Sequence, residues 1–115
     1  MLAHGAVLRK NFFSADELIA IVKDFHHAGL TAEEVALMAF AQKIINQSNQ
    51  IDEQDIDELR QYGLADEEIL NVVVACTARS FFSKTLDALD TPPDEIYRDL
   101  GPELVQALTL GRPFP

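Results

Sequence analysis

The sequence predicts an all-α fold, and three observations support that prediction. No segment shows the strict alternation of apolar and polar residues that a half-buried strand requires, and no Asn-Gly or Asp-Gly hairpin dipeptide occurs. Residues suited to helix starts recur along the chain, and glycines stand where helices would stop. With 115 residues, of which 48% are apolar and 24% charged, the chain is expected to form one globular domain with a single core.

About six helices are predicted. In chain order they span Leu2 to Phe12, about Ala15 to Ala28, Ala32 to Gln47, Glu53 to Tyr62, Asp66 to Leu89, and about Pro93 to Leu110. Gly29 and Gly63 are expected to end the second and fourth helices, because glycine accepts the left-handed conformation that follows a helix.

Local signals indicate where these helices begin. Ser14 and Thr31 each precede a glutamate by three residues, which is the spacing of a capping box. Asp52 can cap the fourth helix, and the acids of Asp66-Glu-Glu68 suit the positive end of the fifth helix dipole. Pro93 suits the first position of the last helix, where a backbone N–H has no partner within the helix.

The fifth predicted helix is expected to lie at the centre of the core. The segment from Ile69 to Cys76 is apolar nearly all round, which is typical of a helix buried on several sides. The triplet Val72-Val-Val74 alone would favour a strand, but it lies within about twenty residues that contain no glycine or proline. The residues expected to be buried in this helix are Ile69, Val73, Cys76 and Phe81.

Composition excludes several classes of partner. A formal net charge of −10, with nine scattered Lys and Arg residues, predicts no binding to nucleic acid or to an anionic membrane. No apolar run reaches the roughly 20 residues of a membrane span, and the first residues do not resemble a signal peptide. The single cysteine allows no internal disulfide, so we expect a cytoplasmic protein. No motif predicts a cofactor or a metal.

Several segments occur in the order found in one known family. They are Ala3-His-Gly-Ala-Val-Leu8, Gly29-Leu-Thr-Ala-Glu-Glu34, Ala39-Phe-Ala-Gln-Lys43, Asp55 to Leu64, and the long fifth helix followed by Thr91-Pro-Pro-Asp94. This ordered set resembles the AhpD-like family, also called carboxymuconolactone decarboxylase-like or alkylhydroperoxidase. The resemblance implies a helical bundle with a central buried helix at about 66–89. It implies that residues 1–115 form a single domain that begins just after the family's redox motif.

The resemblance also implies a chemistry. Relatives carry a Cys-x-x-Cys pair at a helix start, where one thiolate attacks a peroxide and the second thiol resolves the sulfenic acid. His4 matches the histidine that follows this pair and would relay protons, so it is the one catalytic residue that the resemblance assigns. The second cysteine would fall immediately before Met1. The chain is therefore expected to be an antioxidant oxidoreductase by ancestry, inactive as written. A dithiol reductant would be its partner only if the pair exists upstream.

A second function stays open beside that one. Relatives commonly carry Asn and Arg where Ser80, Ser83 and Lys84 stand, which weakens any inference of activity. The alternative is a non-catalytic helical module that assembles with itself or with a partner. Because relatives self-associate, a homo-oligomer is expected, either a dimer or a trimer-based ring. Its surface is expected to include apolar residues of the first helix, namely Leu2, Val7 and Phe12.

The remaining chemistry-bearing residues have structural interpretations. Cys76 lies in the most apolar helix, where burial would raise the pKa of its thiol and make it inert. His26 and His27 are adjacent and would point about 100° apart on a helix, so they are not expected to share a metal ion. The acids at 33, 34, 67 and 68 suit helix starts. The segment Asp52 to Glu58 lacks the ligand pattern of a calcium loop.

Overall fold

The computed structural model describes residues 1–111 and Phe114, and it divides into two compact units. One unit contains Met1–Leu30 and Pro92–Pro115, and the other contains Thr31–Thr91. Across the described residues the regular structure is helical and no strand occurs, which confirms the all-α prediction. The assignment of residues 1–115 to a single AhpD-like domain stays a prediction.

Six α-helices occur within the described residues. They are α1 (Leu2–Asn11), α2 (Ala15–Lys23), α3 (Ala32–Gln47), α4 (Glu53–Gln61), α5 (Asp66–Ala88) and α6 (Pro102–Leu108). Short 3-10 turns span Phe25–His27, Ser48–Gln50 and Glu95–Leu100. The first, third, fourth and fifth predicted helices therefore agree with the structure to within one residue at each end.

The predicted capping interactions are present. The N–H of Glu17 donates to Ser14 Oγ over 3.1 Å, and the N–H of Ser14 donates to the Glu17 carboxylate over 2.7 Å. Thr31 and Glu34 exchange the same two hydrogen bonds, and Asp52 caps α4. These bonds satisfy donors that the first turn of a helix leaves without a partner, so they define where α2, α3 and α4 begin.

The second helix ends earlier than predicted. It stops at Lys23 rather than at Ala28, because Asp24 adopts an extended conformation with φ −159°. Asp24 Oδ1 then accepts the backbone N–H of His26 over 3.1 Å and starts the 3-10 turn Phe25–His27. A short acidic side chain competes here with the helical backbone for the same donors.

The last predicted helix is divided into two pieces. The 3-10 turn Glu95–Leu100 ends at Gly101, whose φ of 92° lies in the left-handed region, and α6 begins with Pro102. Proline disfavours helical geometry in the residue before it, and glycine accepts the positive φ that results. The prediction of one continuous helix from Pro93 to Leu110 is therefore wrong.

The unit formed by α1, α2 and α6 has a small leucine core. Its buried residues are Leu2, Leu18, Leu104 and Leu108. Gly5 of α1 lies so close to Leu108 of α6 that a Cβ at Gly5 would collide with the Leu108 side chain. Leu2 was expected on the surface but is only 8% exposed, whereas Val7 and Phe12 are exposed as predicted.

The unit formed by α3, α4 and α5 has its own core, and most of that core comes from α3. Its buried residues are Ala36, Phe40 and Ile44 of α3, Leu59 of α4, and Ile69 of α5. Leu37, Ile51, Ile56 and Leu64 pack against this cluster as partly buried residues.

The burial predicted for α5 is only partly found. Ile69 is buried, and Val73 and Cys76 are half-buried against the core of the unit. Phe81 is 74% exposed, so the prediction that it is buried is wrong. The physical reason is that α5 contacts α3 and α4 on one side only, which leaves much of its apolar surface open.

Candidate functional site

The exposed side of α5 carries a regular row of side chains. Seven positions spaced alternately by three and four residues are all exposed: Glu67, Leu70, Val74, Thr77, Phe81, Lys84 and Ala88. This spacing keeps a row of side chains on one side of a helix and is the a/d pattern by which helices pack against other helices. We call these seven residues the α5 seam.

The centre of the seam is apolar. Leu70 is 60% exposed, Val74 54% and Phe81 74%. Thr77 lies among them, and its hydroxyl donates to the carbonyl oxygens of Val73 and Val74 over 3.0 and 3.2 Å. The one hydroxyl of the seam therefore has partners within its own helix, so covering the seam would not strand that donor.

The seam lies on a different side of α5 from the core. Ile69, Val73 and Cys76 face the core of the unit, and Leu70, Val74 and Thr77 each follow one of them directly. Consecutive residues of a helix point about 100° apart, so α5 has two apolar sides. One side is used within the unit and the other is open. The sequence signal of an all-round apolar helix is therefore genuine, although its second side is not buried in the chain.

Neighbouring charges on α5 have partners of their own. Asp66 Oδ1 accepts a hydrogen bond from Arg60 Nε over 2.8 Å, and the Glu68 carboxylate accepts the backbone N–H of Ala65 over 2.7 Å. Beside the seam, the guanidinium of Arg79 lies 5.9 Å from the centre of the Phe82 ring.

Cys76 lacks the environment of a reactive thiol. It is half-buried beside the core of its unit, and this burial raises the pKa of its thiol. A raised pKa lowers the thiolate fraction at neutral pH, and the thiolate is the form that attacks peroxides. The direction of the shift agrees with the sequence-based expectation.

The candidate relay His4 belongs to the other unit. It is an exposed residue of α1, whereas Cys76 belongs to α5. The relay role came only from the AhpD-like resemblance and stays a prediction.

The two adjacent histidines share one carboxylate. His27 Nδ1 lies 2.6 Å from Asp24 Oδ2, and His26 Nδ1 lies 3.4 Å from Asp24 Oδ1. The hydrogen bond from His27 holds the pKa of the Asp24 carboxyl below its ordinary value. Both rings can reach Asp24 because they stand in a 3-10 turn after an extended residue, and not on the regular helix that was predicted. Within residues 1–111 and Phe114, no group of three His, Cys, Asp or Glu side chains is arranged to hold a metal ion.

One ion pair was not predicted from the sequence. Lys43 Nζ of α3 donates to both carboxylate oxygens of Asp55 of α4, over 2.8 and 2.6 Å, and both side chains are half-buried. This contact holds the pKa of Asp55 below its ordinary value. Lys43 and Asp55 border a cavity of about 110 Å³. Ligand sites are commonly about 300 Å³ or larger, so the pair is better explained as a link between α3 and α4.

A second charged cluster joins α4 to α5. The guanidinium of Arg60 contacts the carboxylates of Asp66, Glu53 and Asp57 over 2.6 to 2.8 Å, and these bonds raise its pKa further. The acids that resemble a calcium loop in the sequence are thus engaged by Arg60, by Lys43 or by the first turn of α4. Exposed ion pairs of this kind add little stability because water and salt screen them.

Comparison with known proteins gives no match. No family model, no curated protein and no solved structure matches the chain. Among the described residues, no helix combines the length and apolar character needed to cross a membrane. The AhpD-like resemblance therefore remains a hypothesis from sequence, and the functional argument rests on the geometry of the two units, above all on the α5 seam.

Proposed function

We propose that this chain is a non-catalytic helical module that assembles with itself through the α5 seam. One observation carries the proposal: Leu70, Val74 and Phe81 are exposed at the three- and four-residue spacing of a helix-packing seam. Single exposed apolar residues are common on protein surfaces, but a continuous row of them marks an interaction surface.

The seam supports self-assembly better than the first helix does. Val7 and Phe12 are exposed in the other unit, but they stand five residues apart and do not form a row along α1. The seam extends over most of a 23-residue helix. A homo-oligomer built on α5 keeps the expectation of self-association and moves its surface from α1 to α5.

The environment of the single cysteine supports the non-catalytic part of the proposal. Thiol peroxidase chemistry of the AhpD-like kind needs an activated thiolate and a second thiol that resolves the sulfenic acid. Cys76 is the one cysteine among the 115 residues, and burial raises the pKa of its thiol. Membership of the AhpD-like family stays a proposal beside this one and implies no turnover for the residues of this chain.

The test is the concentration dependence of the molar mass, measured by light scattering and sedimentation. The wild-type chain is expected to self-associate at micromolar concentration, and Phe81→Ser is expected to weaken that association strongly. Phe82→Ser is the matched control, because Phe82 is also exposed on α5 but lies beside the seam. A wild-type chain that stays monomeric up to high micromolar concentration would show that the proposal is wrong.

A further inference from the structure

We infer that the occupant of the α5 seam is the α5 seam of a second copy, running antiparallel, with Glu67 of each copy opposite Lys84 of the partner subunit. This inference rests on the proposed self-assembly and adds the identity, direction and register of the partner.

The order of charges along the seam determines the direction. The seam runs from Glu67 near the start of α5, through its apolar centre, to Lys84 near the end. In an antiparallel pair an acid meets a base at both ends of the interface. In a parallel pair Glu67 would face Glu67 of the partner subunit, and Lys84 would face Lys84 of the partner subunit. Opposite charges across a helical seam select partner and orientation, and like charges oppose them.

Other charges on α5 are less suited to this pairing. In the first turn, Asp66 is held by Arg60 and Glu68 by the N–H of Ala65, which leaves Glu67 as the acid that belongs to the seam. Towards the other end, Arg79 lies beside the Phe82 ring and outside the seam. Glu67 and Lys84 are therefore the charged groups that the geometry places at the two ends.

The same register also pairs the apolar residues. If Glu67 faces Lys84 of the partner subunit, antiparallel geometry places Leu70 opposite the partner's Phe81 and Val74 opposite the partner's Thr77. Residues 67, 74 and 81 form one row of the heptad and residues 70, 77 and 84 form the other. Each contact thus joins one member of each row.

The pairing is symmetric. A twofold axis would pass α5 between Ala75 and Cys76, and every contact would occur twice, as in an isologous dimer. The smaller side chains Val74 and Thr77 would meet nearest the axis, and Leu70 and Phe81 would meet farther out. Charge, size and heptad position agree on this one register.

Disulfide trapping tests the register directly. In a Cys76→Ser background, the variant Glu67→Cys/Lys84→Cys keeps Leu70, Val74 and Phe81 in place. The two new cysteines stand 17 positions apart on one helix, about 25 Å, and cannot bridge within a chain. A disulfide needs Cα atoms separated by roughly 4.4–6.8 Å. The antiparallel register therefore predicts a covalent dimer for the double variant and none for either single variant.

Charge reversal tests the same register without a covalent link. Glu67→Lys and Lys84→Glu are each expected to raise the dimer dissociation constant about tenfold, because each variant places two like-charge pairs in the interface. Combining both substitutions restores opposite charges at both ends and is expected to restore wild-type affinity. Glu33→Lys is the matched control: Glu33 occupies the same second position of α3 that Glu67 occupies in α5.

The outcomes separate the two proposals. A covalent dimer with the double cysteine variant, together with restored affinity on charge exchange, supports the register. Cross-linking by either single cysteine variant would indicate a parallel pair and overturn the inference. A wild-type dimer or trimer whose double cysteine variant does not cross-link would also overturn it while leaving self-assembly intact. A wild-type chain that is monomeric, measured by light scattering, would overturn both.

Discussion

The two longest helices, α3 and α5, are both rich in apolar residues, yet they occupy their unit differently. Ala36, Phe40 and Ile44 of α3 are buried, whereas α5 contributes Ile69 alone to the fully buried set. The difference comes from their neighbours, because α3 packs against both α4 and α5. Apolar composition indicates that a helix needs contacts, and the contacts themselves depend on which elements lie beside it.

The largest expected effect contrasts the phenylalanines of the two helices. Phe40→Ala should lower the free energy of unfolding by about 3–5 kcal/mol, because it leaves a cavity in the α3 core. Phe81→Ala should change the stability of the monomer by less than about 0.5 kcal/mol, because Phe81 is exposed. Urea unfolding at low protein concentration measures both, since association would otherwise add stability. Equal losses for the two variants would contradict the burial difference between α3 and α5.

A smaller effect is expected at the starts of the two helices. Thr31 accepts the N–H of Glu34 at the start of α3, so Thr31→Ala should cost about 1 kcal/mol. Ala65 precedes α5 in an extended conformation but has no side-chain oxygen for the same bond. Ala65→Ser should therefore stabilise the chain, by up to about 1 kcal/mol. Urea unfolding of both variants provides the measurement, and a loss of stability with Ala65→Ser would show that the two starts are not equivalent.

The ion pair between Lys43 and Asp55 predicts a dependence on pH. The folded pKa of Asp55 lies below its ordinary value, so the pair contributes stability above about pH 4 that is lost as the carboxylate is protonated. Lys43→Met should therefore be less stable than the wild-type chain at neutral pH, and the difference should shrink as the pH falls through the acid range. Lys10→Met, at an exposed position of α1, is the control. A difference that is constant from neutral to acid pH would contradict the assignment.

The smallest effect is expected at Cys76, which lies between the two sides of α5. Its raised pKa and half-buried position predict that thiol reagents react more slowly with the native chain than with the urea-unfolded chain. Cys76→Ser should change stability only slightly and should leave peroxide consumption at the level of a buffer blank. Rapid native labelling together with Cys76-dependent turnover would show that this cysteine is catalytic.

The starts of helices were predictable because their determinants are local. Ser14, Thr31 and Asp52 each act within three residues, so the sequence shows them directly. The ends were less predictable. Asp24 ended α2 early by binding the N–H of His26, although a continuous helix was also compatible with the same residues. The Gly101-Pro102 pair was visible in the sequence and could have indicated the break before α6.

The candidate site was only half predictable. The sequence shows that α5 is apolar on several sides, and the heptad spacing of Leu70, Val74 and Phe81 can be read from it. The exposure of that row could not be read, because it depends on where α3 and α4 lie. The contact between Lys43 and Asp55 was hidden for a similar reason, since it joins two helices.

The amino-acid sequence by itself determined the helical class of this protein, the helix starts and the apolar character of α5, because those properties follow from neighbours within a few positions. Only the tertiary structure decided that Ile69 faces a core while Phe81 faces solvent. Burial depends on residues that are distant along the chain, and α3 and α4 cover one side of α5 and leave the seam open.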